Sequence, residues 1–258
     1  MSTGIISLSD LCFSYNDHKQ LILRDLSLEI SEAAVTAILG PNGSGKTTLL
    51  SVILGIVPPQ KGTILVRGRD HAEYPRSAMS RLIGLVPQDE IFPLGLSVFQ
   101  YVLLGRAPYL GLLESPKAED YHAASKAMET VGLTSFEGRL VSSLSGGERQ
   151  LAIVARALAQ NPRVLLMDEP VSHLDLSNRS RVIGLIRELA REGVTVVLTT
   201  HDPNVAAGVA NDVVLMRQGE VVAAGAMARV LNARNLTTTY GVPVEVAHVH
   251  GKPVILAP

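Results

Sequence analysis

The feature that most constrains this chain is a buried strand that runs directly into a glycine-rich loop and then into a helix. Residues 35–39, VTAIL, are almost all apolar, which is the pattern of an interior strand. The loop that follows, GPNGSGKTT, contains glycine, four residues, and then glycine, lysine and threonine. Bare backbone N–H groups and the positive end of a following helix both attract an anion. This arrangement predicts a loop that holds the phosphates of a nucleoside triphosphate.

Individual residues of this loop have distinct expected roles. Gly43 and Gly45 let the backbone close around the phosphates, and Lys46 is expected to reach the β and γ phosphates. The Thr47 hydroxyl is expected to coordinate Mg²⁺. A glycine-rich turn before an ordinary helix is the alternative, but it does not require Lys-Thr at this offset. The loop residues predicted to bind the nucleotide are Gly40, Pro41, Asn42, Gly43, Ser44, Gly45, Lys46, Thr47 and Thr48.

The composition limits the class of protein. A chain of 258 residues with 47% apolar residues is long enough for one large domain or two small ones with a buried core. The 23 basic and 24 acidic residues leave a net charge of -1, so overall charge gives no reason to expect nucleic acid as the partner. Aromatic residues make up only 4%, which disfavours extensive base stacking, although a local basic patch is compatible with these totals.

The sequence also indicates a compartment. The single cysteine, Cys12, has no partner for an internal disulfide and is expected to be a small buried apolar residue. The first residues, MSTGIISLSD, lack a secretory pattern, so a reducing cytosol is expected. Polar residues interrupt even the apolar stretch from Val194 to Met216. We therefore expect a protein that does not cross a membrane, although it could dock on a membrane partner.

Apolar runs and turn signals predict an α/β fold with a largely parallel sheet. From Ser97 to about Gln160 helical patterns replace strand patterns, one of them from Ala118 to Val131, which predicts a helical insertion. The segment VVLMRQGEVVAAG predicts a hairpin that turns at Gln218 and Gly219. Besides residues 35–39, the predicted strands are residues 26–30, 83–86, 164–167 and 194–199.

Two carboxylates follow a second buried strand, in the segment VLLMDEP at residues 164–170. Asp168 is expected to hold Mg²⁺ through its water shell. Glu169 is then available to act on the attacking water, as a base or by orienting it, and such assistance is worth about 10² to 10⁴ in rate. An isolated Asp-Glu pair is more often a solvated strand end, but this pair shares its chain with the phosphate loop.

Three further residues are candidates for the same site. His201, after VVLTT, could hydrogen-bond the γ phosphate and help hold Glu169 and the water, although such a histidine is more often a helix cap. Gln88, after IGLVP, could contact Mg²⁺ or the water, but an exposed glutamine alone is uninformative. Tyr15 could stack on adenine, a contact worth on the order of 1 to 3 kcal/mol, or it could belong to the core or rim.

The string LSGGERQ, residues 144–150, places two glycines at the start of a helix. Glycine costs about 1 kcal/mol per residue relative to alanine in a helix, so these two need a reason. Ser145 and Glu148 fit a capping box, but a capping box does not require Gly146 or Gly147. Close approach of the backbone to an anion accounts for all four residues.

Together with the phosphate loop, DEP, SHLD at residues 172–175 and His201, LSGGERQ makes the chain resemble the ATP-binding subunit of an ATP-binding cassette (ABC) transporter. The resemblance implies a phosphate-loop, RecA-like core with a mostly parallel sheet, an antiparallel β subdomain and a helical subdomain insertion. Within one domain, 1–258, it implies a nucleotide-binding core (1–90 and 161–235), a helical signature subdomain (91–160) and a short C-terminal extension (236–258).

In that family the signature glycines of one subunit approach the γ phosphate held by the other. The resemblance therefore implies that Ser145, Gly146, Gly147 and Glu148 contact ATP across a homodimer, and that Asp175 also binds the nucleotide. It also implies Mg²⁺, two permease subunits, an extracytoplasmic substrate-binding protein, and a peripheral position on the cytoplasmic face of the membrane. His173 in SHLD departs from the small residue of many relatives.

The cargo is expected to be an iron chelate or cobalamin. The segment YVLLGRAPYLGLL, residues 101–113, and the C-terminal tail are similar to the importers of ferric siderophores, haem and cobalamin. Importers of molybdate, tungstate, zinc or manganese are the neighbouring alternatives, and a soluble cassette ATPase acting on nucleic acid or ribosomes is a further one. His248 and His250 form an H-x-H pattern, which fits one exposed face of a short strand better than a metal site without a third ligand.

Overall fold

The computed structural model describes residues 4–15, 21–111, 113–249 and 251–256. The chain divides into two compact units, Met1–Tyr74 with Leu189–Pro258, and Pro75–Glu188. The elements of the first unit are β1 (Ile6–Phe13), β2 (Leu23–Ile30), β3 (Val35–Leu39), α1 (Lys46–Ile53), β4 (Lys61–Val66), β5 (Arg69–Asp70), β8 (Thr195–Thr200), α7 (Pro203–Val209), β9 (Asp212–Arg217), β10 (Glu220–Ala226), α8 (Met227–Val230), α9 (Ala233–Tyr240), β11 (Glu245–Val249) and β12 (Lys252–Leu256).

The elements of the second unit are α2 (Arg76–Leu82), β6 (Ile83–Val86), α3 (Val98–Leu103), α4 (Ala118–Thr130), α5 (Gly146–Ala159), β7 (Val164–Met167) and α6 (Leu176–Arg191), whose last residues belong to the first unit.

The central strand of the first unit is β3, which lies between β8 and β9 and runs parallel to both. Every residue of β3 and β8 is buried, which explains why neither strand alternates apolar and polar residues. β10 pairs antiparallel with β9 through Gln218 and Gly219, whose φ angles are 51° and 85°. Positive φ at both positions is what a two-residue type I′ turn requires, and it confirms the predicted hairpin.

A second sheet in this unit is antiparallel, with the strand order β2-β1-β4-β5. Along β2 the side chains of Leu26, Leu28 and Ile30 are buried, whereas Ser27 and Glu29 are exposed. This alternation buries one face of the sheet and leaves the other in water.

In the second unit β6 and β7 form a parallel pair, and α3, α4 and α5 pack on one another. Between Ser97 and Gln160, the described residues make only one isolated β-bridge, between Ser97 and Leu140. The predicted helical insertion is therefore confirmed, while the finer boundaries at 91–160 and 236–258 remain predictions.

The LGR-x-P segment forms a buried polar contact within this helical region. Arg106 Nε donates to Asp120 Oδ1 at 2.8 Å, and Nη1 donates to the main-chain oxygen of Ala159 at 3.0 Å. The guanidinium also lies 3.7 Å from the centroid of the Tyr109 ring. The Lys117 backbone N–H and the Arg106 guanidinium lower the pKa of the Asp120 carboxyl. Arg106 therefore connects α4 to the last turn of α5.

Among the described residues, no helix combines the length and the apolar character needed to cross a bilayer. Cys12 is buried as predicted, and its Sγ lies 3.2 Å from Asp25 Oδ1. At the C-terminus β11 and β12 form an antiparallel hairpin, and β12 contacts α7.

Candidate functional site

The phosphate loop has the backbone geometry that its glycines predict. Gly43 and Gly45 have φ angles of 77° and 101°, which residues with side chains rarely adopt. A Cβ at Gly40 would lie 2.7 Å from Ser44 Oγ and closer still to the main-chain oxygen of Met216. The loop therefore needs glycine at these positions to turn from β3 into α1, whose first turn carries the positive end of the helix.

Two polar side chains of the loop, Lys46 and Ser44, are buried. Lys46 is 6% exposed, and its Nζ donates to the main-chain oxygens of Gly40 at 2.8 Å and Pro41 at 3.3 Å. Ser44 Oγ is buried, and the described residues offer it no hydrogen-bond partner. Burial of an unpaired hydroxyl is costly unless a ligand completes its hydrogen bonds. A phosphate group would supply an acceptor oxygen for Ser44 and negative charge beside the buried Lys46 ammonium.

The strand register brings His201 to the edge of the sheet where the phosphate loop begins. Leu39 pairs with Thr200 across the parallel β3–β8 ladder, so Gly40 and His201 leave neighbouring strands at the same edge. Ligands of α/β folds bind at this carboxyl edge. The cap of α7 is Asp202, which accepts from the N–H of Asn204 at 2.8 Å. The alternative that His201 serves as the helix cap is therefore wrong.

Tyr15 lies beside the same loop with its ring accessible. The side chain is 59% exposed, and the hydroxyl lies 3.4 Å from Thr48 Oγ1, in the first turn of α1. The Phe13 ring meets Tyr15 edge-on, with centroids 4.9 Å apart at an interplanar angle of 88°. Tyr15 is thus a residue of the rim rather than the core, with an open ring surface. Stacking on adenine stays a prediction.

In the second unit the ends of β6 and β7 bring Gln88 close to the two carboxylates. Val86 pairs with Met167, and the N–H of Asp168 donates to the Val86 oxygen at 2.8 Å. Gln88 and Glu169 line one cavity of about 320 Å³, and Gly146 at the start of α5 lines it as well. His173 of SHLD is part of the same lining. Three of the sequence-predicted site residues therefore meet around one cavity.

Glu169 occupies a strained backbone position. Its φ is 47°, in the left-handed region that costs a residue with a side chain about 1 to 3 kcal/mol. The main-chain oxygen of Glu169 accepts from Ser172 Oγ at 3.0 Å, which helps to hold this conformation. Glu169 and Asp168 are only 9% and 6% exposed, so the pair is not a solvated strand end. Strain of this kind is concentrated at functional sites.

The signature helix α5 begins with the predicted capping box, which is confirmed. Glu148 Oε2 accepts from the N–H of Ser145 at 2.7 Å, and Ser145 Oγ accepts from the N–H of Glu148 at 3.4 Å. The Ser145 backbone bond, and then the Ser145 hydroxyl, lower the pKa of the Glu148 carboxyl. This part of LSGGERQ is therefore a local helix-start device that works within one chain.

The two glycines of the signature have different surroundings. At Gly146 a Cβ would meet no described atom within 4 Å, whereas at Gly147 it would lie 2.5 Å from Asn178 Oδ1. Asn178 belongs to the first turn of α6, and its Nδ2 donates to Asp175 Oδ2 at 3.0 Å. Asp175 also accepts from the N–H of Asn178 at 2.8 Å. Asn178 belongs to no recognisable motif, so the sequence alone does not predict its contact with Gly147.

The predicted magnesium donors have suitable chemistry. Thr47, Gln88 and Asp168 offer hydroxyl, amide and carboxylate oxygens, which are the hard ligands that Mg²⁺ prefers. The described part of the chain contains no group of three His, Cys, Asp or Glu side chains that could hold a metal ion. Mg²⁺ sites commonly combine one or two protein ligands with substrate phosphates and water, so each of these residues by itself offers a donor that fits the ion. His248 is exposed on β11, and His250 lies outside the described residues.

A phosphate loop after one buried strand and two buried acids after another are the features of a phosphate-loop nucleoside triphosphatase. A family model described as ABC transporter matches residues 23–172, more than half of the 258-residue chain. The chain belongs to the ABC transporter family as an ATP-binding, ATP-hydrolysing domain, in agreement with the sequence-based expectation.

Curated relatives match over almost the whole chain. A Helicobacter pylori protein named "Probable iron chelatin transport ATP-binding protein" is 33% identical over 98% of this chain and 99% of its own length. The molybdate import ATP-binding protein MolC of Haemophilus influenzae is 35% identical over 93% and 89% of the two chains. The manganese transport system ATP-binding protein MntB of Bacillus subtilis is 36% identical over 92% of each.

Solved structures share the fold. The structure described as "an inward-facing conformation of a putative metal-chelate type ABC transporter" has a TM-score of 0.86 and 33% identity, covering 99% of this chain and 98% of the other. A dimeric bacterial ABC transporter cassette has a TM-score of 0.75 and 29% identity, covering 86% and 98%. The predicted α/β class, with a mostly parallel sheet, an antiparallel sheet and helices, is confirmed.

Proposed function

We propose that this ATPase powers an importer of an iron chelate, either a ferric siderophore or haem, or of cobalamin. Two copies of the chain act on the cytoplasmic face of the membrane under two permease subunits, which receive cargo from an extracytoplasmic substrate-binding protein. The observation that carries this proposal is the match to the iron chelatin relative over 98% of this chain. The metal-chelate type transporter structure, at 33% identity, supports the same cargo class.

ATP hydrolysis follows from the chemistry of the strand ends. Lys46 and the loop N–H groups bind the β and γ phosphates, and Thr47 and Asp168 hold Mg²⁺, directly and through its water shell. When bound, Mg²⁺ neutralises part of the charge on the phosphates. Glu169 accepts a proton from the attacking water or orients it. The predicted contacts of Gln88 and His201 with the metal, the water and the γ phosphate keep these groups aligned.

The homodimer gives Gly146 a role that its own chain does not supply. The position is exposed, and a Cβ there would meet no described atom within 4 Å. In the proposed dimer the N-terminus of α5, with Ser145 and Gly146, faces the γ phosphate held by the phosphate loop of the other copy. A dimeric cassette among the solved relatives supports the dimer itself.

The similarity of the LGR-x-P segment is weak support for the cargo. Arg106 is 7% exposed and its hydrogen bonds go to Asp120 and Ala159, so the segment maintains the packing of the helical region. A segment that serves packing indicates relatedness and does not indicate which cargo the permease carries.

The test is uptake by cells that lack this chain and carry wild-type or variant copies. We expect the wild-type copy to restore uptake of labelled ferric siderophore, haem or cobalamin, and Glu169→Gln to restore none. Glu137→Gln, which makes the same chemical change at an exposed position, is the matched control and should restore uptake fully. Unchanged uptake of all three cargoes in cells without the chain would refute the proposal.

A second candidate is an importer of molybdate, tungstate, zinc or manganese. The molybdate and manganese relatives are 35% and 36% identical to this chain, no less than the iron chelatin relative at 33%. Adding labelled molybdate and manganese to the same uptake experiment separates the two. Restoration of either one alone, with no iron chelate or cobalamin uptake, would favour this candidate.

A further inference from the structure

The loop that carries His201 is attached to the C-terminal segment, by which we mean residues 233–249 and 251–256. α9 ends at Tyr240, and the Tyr240 hydroxyl donates a hydrogen bond to the main-chain oxygen of His201 at 3.0 Å. Both residues belong to the first unit. The bond acts on the backbone of the residue that leaves β8 next to the start of the phosphate loop.

A second attachment lies two residues after the Asp202 cap. Asn204 Nδ2 donates to the main-chain oxygen of Ile255 at 3.1 Å, and Asn204 Oδ1 accepts from the N–H of Ile255 at 2.9 Å. The side chain of Asn204 thus pairs with β12 as another strand would, and Ile255 is only 8% exposed. The backbone of His201 is therefore held by α9, and the start of α7, which follows it, is held by β12.

The C-terminal segment is itself anchored to the sheet. Leu236 and Thr239 of α9 are completely buried, and α9 packs against β9. Arg217, at the end of β9, donates from Nη1 to the main-chain oxygen of Thr238. Because β9 pairs directly with β3, the strand that precedes the phosphate loop, α9 has a fixed position relative to that loop.

We propose that the C-terminal segment is a brace that sets the position of the His201 loop, and that Tyr240 is a positioning residue acting through His201. The catalytic consequence rests on the proposed role of His201 at the γ phosphate. Small displacements matter at such a site, since a shift of about 1 Å in a reacting group can cost on the order of a hundredfold in rate. One hydrogen bond of this kind corresponds to about two- to tenfold.

The direct test is Tyr240→Phe in the purified full-length chain. This change removes the hydroxyl and keeps the ring, so we expect kcat for ATP to fall about two- to tenfold with KM unchanged. Hydrogen exchange at the backbone amides of Asp202 and of residues 204–209 should become faster. Tyr74→Phe is the matched control, because the Tyr74 hydroxyl also donates to a main-chain oxygen, that of Val66, at 2.9 Å. We expect this control to leave kcat unchanged.

A double-variant cycle then tests whether Tyr240 acts through His201. In a His201→Ala background, Tyr240→Phe should cause no further loss of kcat. An equal loss in both backgrounds, an equal loss in Tyr74→Phe, or wild-type kcat and exchange in Tyr240→Phe would each overturn the proposal. Wild-type turnover by His201→Ala would refute the proposed role of His201 instead. Faster exchange in Tyr240→Phe would then still support the brace.

Discussion

Asn178 occupies the space that a side chain at Gly147 would need. A Cβ on Gly147 would lie 2.5 Å from Asn178 Oδ1, and Asp175 holds that amide in place through a 3.0 Å bond from its Nδ2. At Gly146, one position earlier, a Cβ would meet no described atom within 4 Å. The two glycines of LSGGERQ therefore differ in what a side chain would meet at each position. A side chain at Gly147 would press on Asn178 of the same chain, whereas Gly146 is available for close approach by another molecule.

The first prediction concerns Gly147→Ala, which should destabilise the chain through the contact with Asn178. Overpacking of this kind typically costs about 1 to 3 kcal/mol, because the Asn178 amide must shift and weaken its bond to Asp175, and the gain of up to about 1 kcal/mol for alanine over glycine in a helix offsets part of that cost. In a chain of this size 1 kcal/mol shifts the unfolding midpoint by about 2 to 4 °C. We expect a midpoint lowered by several degrees in thermal unfolding followed by circular dichroism.

Two companion variants make this prediction specific. Asn178→Ala removes the obstructing amide, so the Gly147→Ala/Asn178→Ala double variant should be destabilised by less than the sum of the two single changes. Gly146→Ala should leave the midpoint unchanged or raise it, because alanine is a better helix former than glycine. Additive losses in the double variant would show that the packing against Asn178 is not the reason for Gly147.

Sequence patterns predicted those parts of the structure that are determined by residues close to one another in the sequence. The strand at residues 35–39 is continuous and apolar because both of its faces are buried, and the turn at Gln218 and Gly219 needs residues that tolerate positive φ. The capping box of Ser145 and Glu148 was likewise visible, since its two residues are neighbours on one helix turn.

Contacts between residues distant in sequence could not be predicted in the same way. Asn178 and Tyr240 belong to no motif, and each matters because the fold brings it to a backbone position elsewhere in its unit. α9 is also mostly polar in sequence, and it is fixed in place by the burial of Leu236 and Thr239. Periodicity describes which face of an element is buried, but it does not identify the residue on the other side.

The second prediction is that the capping box makes stability depend on pH at the acid end. The Ser145 backbone bond lowers the pKa of Glu148 below its ordinary value of 4.5. Because the folded pKa is the lower one, the stabilisation is present above about 4.5 and is lost as the pH falls through the folded pKa. Glu148→Gln does not titrate, so the difference in unfolding midpoint between wild type and variant should shrink from pH 7 to pH 3. A difference that is constant across this range would contradict the prediction.

The third prediction concerns Tyr15, whose ring is 59% exposed beside the phosphate loop. Tyr15→Ala should weaken ATP binding by about 1 to 3 kcal/mol, whereas Tyr15→Trp should largely restore it, because stacking needs a flat face. Tyr15→Phe removes only the hydroxyl near Thr48, and it should bind ATP nearly as well as wild type. Equal affinities for all four proteins, measured by calorimetry, would exclude stacking.

The last prediction tests whether the signature helix works across a dimer. Lys46→Ala should disable the phosphate loop, and Ser145→Arg should block the exposed start of α5 with a bulky charge. Each homodimer then has two damaged sites. If every site combines the phosphate loop of one chain with the signature of the other, a mixed dimer has one doubly damaged site and one intact site. If both motifs serve a site within one chain, no intact site forms.

Mixed dimers purified through two different tags make this difference measurable as ATP trapped in a single turnover, where coupling between the sites matters least. We expect more trapped ATP in the mixed dimer than in either parent homodimer, since its intact site uses Lys46 of one chain and Ser145 of the other. The control is a mixed dimer of a Lys46→Ala chain and a Ser143→Arg chain. Ser143 is exposed and lies outside the capping box, so this dimer should trap at least as much ATP as the mixed dimer with Ser145→Arg. Confirmed mixed dimers that trap no more ATP than the parent homodimers would contradict the prediction. Gly146 would then have no partner across the dimer, and the capping box and the contact with Asn178 would be the only roles left for the start of α5.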